Sequence, residues 1–234
     1  SSDEPSTAPP LKLSIERINL QEVDFHYNDE NSKRLTFGFD FNHMKLTNVS
    51  ANLSSLSIKD EDISLQVDKL TLSEKSGFKL NEFTSAVKIG PKGISLEKLV
   101  IALPESTIKA SHIKLNYANW SSFDHFEDSV YLDASFQSSF VSLKDLSLWV
   151  PSLEGMDDVV TLKFDIKDKL AGLNISNVEA RIFNQTFIRG NFRLPDFRNE
   201  NLENFSSNIT TSYIDLSEIS RIKFPKDVKK FDFD

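Results

Sequence analysis

The chain has 234 residues, 39% hydrophobic and 26% charged, which excludes a disordered tail and a membrane-embedded protein and leaves length for one large domain or two small ones. Lys and Arg number 27 against 35 Asp and Glu, and the net charge of -8 argues against a nucleic-acid partner or anionic headgroups as the main binding target. There is no Cys, so no disulfide, thiolate metal site or cysteine nucleophile exists; 19 Phe against 2 Trp and 4 Tyr supply apolar surface that must be buried or offered to an apolar ligand.

Residues 1–10, SSDEPSTAPP, are polar and Pro-rich and read as a linker, with a repetitive β domain over 11–234 expected to be a fragment of a longer protein. No stretch reaches the ~20 continuous apolar residues of a membrane helix. Period-two alternation then dominates. It predicts strands at Ser14–Tyr27, Leu35–Phe41, Ile63–Leu72, Phe83–Ile89, Ile94–Leu103, Ile108–Tyr117, Val130–Phe136, Val160–Ile166, Leu173–Ile182, Thr186–Leu194 and Ser206–Ile214. One face is apolar and the other carries Thr, Asp, Lys and Ser, the signature of an antiparallel sheet wet on one side.

A second pattern, apolar, two polar, apolar, one polar, apolar, interrupts the alternation at Ile15-Ile18-Leu20, Phe41-Met44-Leu46, Leu53-Leu56-Ile58, Val67-Leu70-Leu72, Leu96-Leu99-Ile101 and Leu143-Leu146-Leu148. An extra residue throws the next side chain onto the wrong face unless a bulge restores the register, so recurring steps predict recurring bends and a curled sheet. Residues Leu96–Leu115 also align without gaps on Ile175–Leu194, matching Leu99 with Val178 and Ile108 with Phe187, which suggests repeated units. Ser142-x-x-Asp145 and Asp215 announce two short helices. The fold class expected is all-β: a long antiparallel curled sheet forming an open apolar trough, with one or two short helices.

Little catalytic chemistry is legible. His26 and His112 read as exposed strand positions; His125 with Asp124, Glu127 and Asp128 forms an acidic loop that is more simply solvated than metal-binding. There is no Gly-rich phosphate loop, nucleophile elbow or paired-His motif, and neither an enzyme nor a cofactor nor a metal is expected. The seven Asn-x-Ser/Thr sequons are read as chance products of an Asn- and Ser-rich chain. The residues expected to line an apolar groove are Phe37, Phe39, Phe41, Leu132, Phe136, Leu162, Phe164, Ile166, Phe187 and Phe192.

The runs Leu72-Ser73-Glu74-Lys75-Ser76-Gly77-Phe78-Lys79-Leu80, Ile94-Ser95-Leu96-Glu97-Lys98-Leu99-Val100-Ile101, Pro104-Glu105-Ser106-Thr107-Ile108 and Leu173-Asn174-Ile175-Ser176-Asn177-Val178 through Pro195 resemble the AsmA/TamB superfamily, closest to the TamB-like translocation and assembly module proteins. The resemblance implies a periplasmic protein of the cell envelope, anchored to the inner membrane, whose β-trough takes phospholipid acyl chains towards the outer membrane. It further implies a part in outer-membrane biogenesis and protein secretion, with a BamA-like outer-membrane protein as partner through parts outside this chain. It carries over no catalytic residue. A closed β-sandwich recognition or adhesion module is the rival reading.

Overall fold

The computed structural model describes residues 11–35, 38–150, 153–194 and 205–220. Eleven strands form a single antiparallel sheet in sequence order: β1 (Lys12–His26), β2 (Lys45–Lys59), β3 (Asp62–Glu74), β4 (Lys79–Gly90), β5 (Gly93–Ala102), β6 (Thr107–Asn116), β7 (Tyr131–Ser142), β8 (Val159–Asp168), β9 (Asn174–Ile182), β10 (Phe187–Arg193) and β11 (Ser206–Tyr213). Each strand pairs only with its neighbours in the chain, and β1 and β11 remain separate edges, so the sheet is curled but unclosed. Three one-turn helices, α1 (Phe126–Ser129), α2 (Leu143–Leu146) and α3 (Leu216–Ile219), sit in or after the connections.

Cross-strand rows show why this sequence makes one apolar face. Leu13, Ile58, Ile63, Ile89, Ile94, Leu115 and Leu132 stand in succession across β1 to β7. A second row runs Leu65, Val87, Leu96, Ile113, Ala134, Ile166, Ile175 and Phe192 from β3 to β10. Such cross-strand contacts stabilise a sheet by ~0.2–1 kcal/mol each, so an uninterrupted row ties many strands together.

Of the six expected steps, Leu53–Leu56 and Leu96–Leu99 bend with a left-handed residue and Val67–Leu70 with a register shift, whereas Ile15–Ile18 pairs with β2 without a shift, Phe41–Met44 lies in the 27–44 connection and Leu143–Leu146 in α2; further bends share the same backbone signature. Glu22, Asn48, Ser55, Lys98 and Asn177 all have φ between 51° and 55°. Each is the third residue of an apolar-x-x-apolar step: Leu20–Val23, Leu46–Val49, Leu53–Leu56, Leu96–Leu99 and Ile175–Val178. The left-handed residue is the extra one, and inserting it returns the following apolar side chain to the same face. Lys98 and Asn177 occupy equivalent places in the two aligned segments, so the repeat extends to the backbone. Register shifts continue the line through Val67/Leu70 in β3, Phe136/Ser139 in β7 and Arg189/Gly190 in β10.

Two further expectations change. The described part of Leu35–Phe41 is not a strand but belongs to the 27–44 connection, while the bend pattern on either side of Leu53 lies in the long strand β2. Alternation alone cannot form a strand without a neighbour to pair with, and β2 already occupies the edge of β1. At Ser142 the helix forms, but the capping box does not: the Ser142 side chain caps nothing in α2, and Asp145 turns away to accept the Glu105 amide (3.0 Å) and the Ser106 hydroxyl (2.6 Å).

A left-handed backbone costs an ordinary side chain ~1–2 kcal/mol, most for β-branched residues. Lys98→Val is therefore expected to lower unfolding stability by about that amount, and Lys98→Gly to leave it unchanged or raised, as read by urea denaturation.

Candidate functional site

Burial along the strands outlines a trough. Fully buried apolar residues lie along the bend line, where Val67, Leu99 and Ala110 are accompanied by the small Ser85 and Ser139, and also at Ala134 in the second row and at Leu80, Leu103 and Val141 near one lip. Leu99 and Ala110, each 2% exposed, face one another across β5 and β6, and Ala110 faces Phe136. Elsewhere many apolar residues of the face are only half-buried, including Leu56, Ile58, Ile63, Leu65, Ile89, Ile94, Leu96, Ile113, Leu115, Phe83 and Ile101. A packed sandwich would bury both rows; here the two walls meet at the crease and open from it. Ten inter-strand steps of ~4.8 Å make the trough ~48 Å long. It tapers, since β1 and β2 have 15 residues each and β10 has 7.

Six of the expected lining residues stand on this face. Leu132 opposes Leu115, Phe136 stacks on Phe164 at 4.6 Å, Leu162 opposes Ala180, Ile166 opposes Ile175, and Phe192 follows in the same row. Phe187 does not: it opposes Arg181 and Tyr213 on the polar face, with the guanidinium groups of Arg181 and Arg189 5.5 and 5.9 Å from its ring centroid. The reason lies in the bend. Strand β6 carries Ile108, Ala110 and Ile113 inward with an extra residue at Ser111, whereas β10 carries Ile188, Gly190 and Phe192 inward without one. At Gly190 a Cβ would collide with the Asn208 carbonyl, so β10 bends through a glycine in place of an inserted residue, and the matched position Phe187 falls on the opposite face.

Phe39 and Phe41 lie in the β1–β2 connection at the lip, and Phe37 lies outside the described residues. Phe39 packs on Phe41 (4.6 Å) and on Phe78 (5.7 Å), and Phe78 packs on Trp149 (5.2 Å). Gly38 lies so close to the Leu148 carbonyl that no side chain fits. Two connections and the β3–β4 turn therefore form one aromatic cluster on this lip. The aliphatic rows of β2 to β6 line this face as well; alternation rich in Phe does not single them out, although apolar-x-x-apolar steps mark these segments.

That same lip is stitched by carboxylates that accept backbone amides. Asp40 takes Leu35 (3.0 Å) and Asn42 (3.1 Å) and holds His43 Nδ1 at 2.9 Å, with both side chains buried. Glu74 takes Lys45 (3.1 Å) and Ser76 (2.7 Å), tying the β3–β4 turn to the start of β2. Glu218 of α3 takes Asn184, Gln185 and Thr186 at 2.8–3.1 Å, together with the Thr186 hydroxyl. The Leu35 amide, with His43 and Asn42, holds Asp40 below the usual carboxylate range against the opposing effect of burial. For Glu74 and Glu218 burial is the largest influence and pushes upward, but the converging donors outweigh it and both carboxyls sit low.

The opposite lip is closed by aromatic packing. Tyr117 is buried, donates to the Gly90 carbonyl at 2.6 Å, and packs on Trp120 (5.3 Å) and Phe123 (4.9 Å) of the β6–β7 connection. His125 and Asp124 are exposed there, and among the described residues no group of three His, Cys, Asp or Glu is placed to hold a metal ion. His112 lies half-buried, 3.3 Å from Asp133. No described helix is long and apolar enough to cross a membrane. No family model, curated protein or solved structure matches this chain.

Because the folded pKa values of Asp40, Glu74 and Glu218 are depressed, their contribution is complete above the ordinary values of 3.8 and 4.5 and is lost as pH falls through the lower folded values. The melting temperature is expected to hold from pH 7 to 5 and fall below pH 4.5, with a smaller acid drop in Glu218→Gln. Circular dichroism melts across that range check both.

Proposed function

We propose that this chain is a periplasmic β-trough segment of a TamB/AsmA-like envelope protein, which holds or conducts phospholipid acyl chains towards the outer membrane and so supports outer-membrane biogenesis. The observation that carries the reading is the half-buried apolar face on both sides of a fully buried crease. An isolated sheet that keeps rows of Ile, Leu and Phe partly exposed needs an apolar occupant, and each acyl CH₂ placed there gains ~0.8 kcal/mol. No headgroup contact is required, which suits a chain of net charge -8. The resemblance of the Leu72–Leu80, Ile94–Ile101 and Leu173–Val178 segments to the superfamily supports the same reading. Inner-membrane anchoring and a BamA-like partner belong to the proposal through parts of the protein outside this chain, and no catalytic step is part of it.

Native mass spectrometry of gently purified protein is expected to show bound phospholipid. Phe164→Asp and Ile166→Asp place a charge on the half-buried wall and are expected to remove that lipid while the β circular dichroism spectrum persists. A folded wild-type protein free of lipid, with no adduct from a photo-crosslinker at position 164, would sink the reading.

A further inference from the structure

We propose that β1 is a self-pairing edge: two copies of this chain join antiparallel through β1, centred on Asn19, and continue one sheet across a twofold axis. The inference stands on the edge of the sheet and does not rest on the acyl-chain reading.

Among the described residues no strand pairs with the outer side of β1, so a 15-residue edge presents amides and carbonyls without a ladder partner. Its apolar residues Leu13, Ile15, Ile18, Leu20, Val23 and Phe25 oppose Ile58, Leu56, Leu53, Ala51, Val49 and Leu46 of β2, so all six stand on the trough face. With a neighbour on one side only, Leu13, Leu20, Val23 and Phe25 remain 40–49% exposed. Edge strands are ordinarily protected by shortness, by Pro or by a charge pointing into the apolar face, and β1 has none of these at its six inward positions. The other edge differs. Strand β11 has 8 residues, and opposite Phe192, Gly190 and Ile188 it carries Ser207, Ile209 and Ser212, a single apolar residue among them.

The spacing of the six residues specifies the partner. Positions 13, 15, 18, 20, 23 and 25 are symmetrical about 19, so an antiparallel second copy in that register sets Leu13 against Phe25, Ile15 against Val23 and Ile18 against Leu20, each twice. A twofold axis normal to the sheet keeps both apolar faces on one side, and the cross-strand rows run on from copy to copy. The bends match as well. Ile15–Ile18 of one copy meets Leu20–Val23 of the other, with two intervening residues on each strand. The sheet already pairs such steps without a register shift, Ile15–Ile18 with Leu53–Leu56 and Leu96–Leu99 with Ala110–Ile113. A straight strand would lose register at Glu22, whose φ is 51°, whereas β1 of a second copy bends where β1 does. On the polar side the same register opposes Glu16 to Glu22 at two places, which weakens the pairing and supplies a test of it.

Because the chain has no Cys, one introduced thiol reports on the register. In Asn19→Cys the two thiols stand opposite each other at the ~4.5–5.5 Å Cα separation of an antiparallel pair, which a disulfide spans, and oxidation is expected to give a covalent dimer. Ser14→Cys faces position 24 of the second copy, ~30 Å from its own counterpart, and is expected not to crosslink. In sedimentation velocity the unmodified chain is expected to pass from monomer to dimer as concentration rises. Leu20→Lys sets a charge against Ile18 twice and is expected to weaken the dimer about tenfold or more, with an unaltered circular dichroism spectrum because the position is exposed. Glu16→Lys replaces both like-charge oppositions by opposite charges and is expected to tighten it about threefold or more. A chain that stays monomeric at every concentration, with no crosslink at position 19, overturns the proposal. So does a ladder of larger assemblies, which would mean head-to-tail pairing of β1 with β11, and so does equal crosslinking at positions 14 and 19. A dimer that survives Leu20→Lys and leaves Asn19→Cys uncrosslinked would place the interface elsewhere, as at the exposed rings of Phe41 and Trp149. A dimer crosslinked at position 19 but free of lipid upholds the self-pairing edge while sinking the acyl-chain reading.

Discussion

A strand longer than about ten residues that must bend while keeping its apolar residues on one face needs an odd insertion at the bend. Here the insertion is a single residue in the left-handed region, set between two apolar residues three apart, and it recurs at Glu22, Asn48, Ser55, Lys98 and Asn177. The shape of the molecule depends on this step. Without it, half of each strand would point its Ile, Leu and Phe side chains to water. With it, the inward faces of both halves meet at a crease small enough to need Ser85, Ala110 and Ser139, and the walls spread from there.

Bending the sheet makes the rims of the trough structurally different. On one rim, turns that would leave amides unpaired are completed by carboxylates reaching in from other elements: Glu74 to β2, Asp145 to the β5–β6 turn, Glu218 to the β9–β10 turn. Hydrogen bonds to ionised acceptors are stronger than neutral ones, and they align turns that have no neighbouring strand beyond them. On the other rim Tyr117, Trp120 and Phe123 pack instead. The first rim is expected to lose cohesion in acid as these carboxylates become protonated. An apolar interior between rims of contrasting chemistry is consistent with the acyl-chain conduit proposed above.

The fold class was legible because period-two alternation and repeated apolar-x-x-apolar steps report directly on which face a side chain occupies, and ten of the eleven predicted segments correspond to strands. Position on the trough wall was less legible. Leu132, Phe136, Leu162, Phe164, Ile166 and Phe192 follow from local alternation, and the structure places them together. Phe187 could not be placed from sequence because its face depends on whether β10 bends by insertion, as β6 does, or through Gly190. That choice is made by the Asn208 carbonyl of the neighbouring strand.

The sequence by itself determined an antiparallel all-β chain with one apolar face, bends at three of the six expected steps and two short helices, since each of these follows from the order of apolar and polar residues along a few positions. Tertiary structure alone decided that the described part of Leu35–Phe41 is a connection and not a strand, that Asp145 caps a distant turn and not its own helix, and that Glu218 returns to Thr186. These outcomes depend on partners 32 to 39 residues away in the chain, as with Glu218 and Thr186 or Asp145 and Ser106. Local patterns carry no information about such separations, because the energy of a capped amide or an opposed side chain depends on which element arrives beside it.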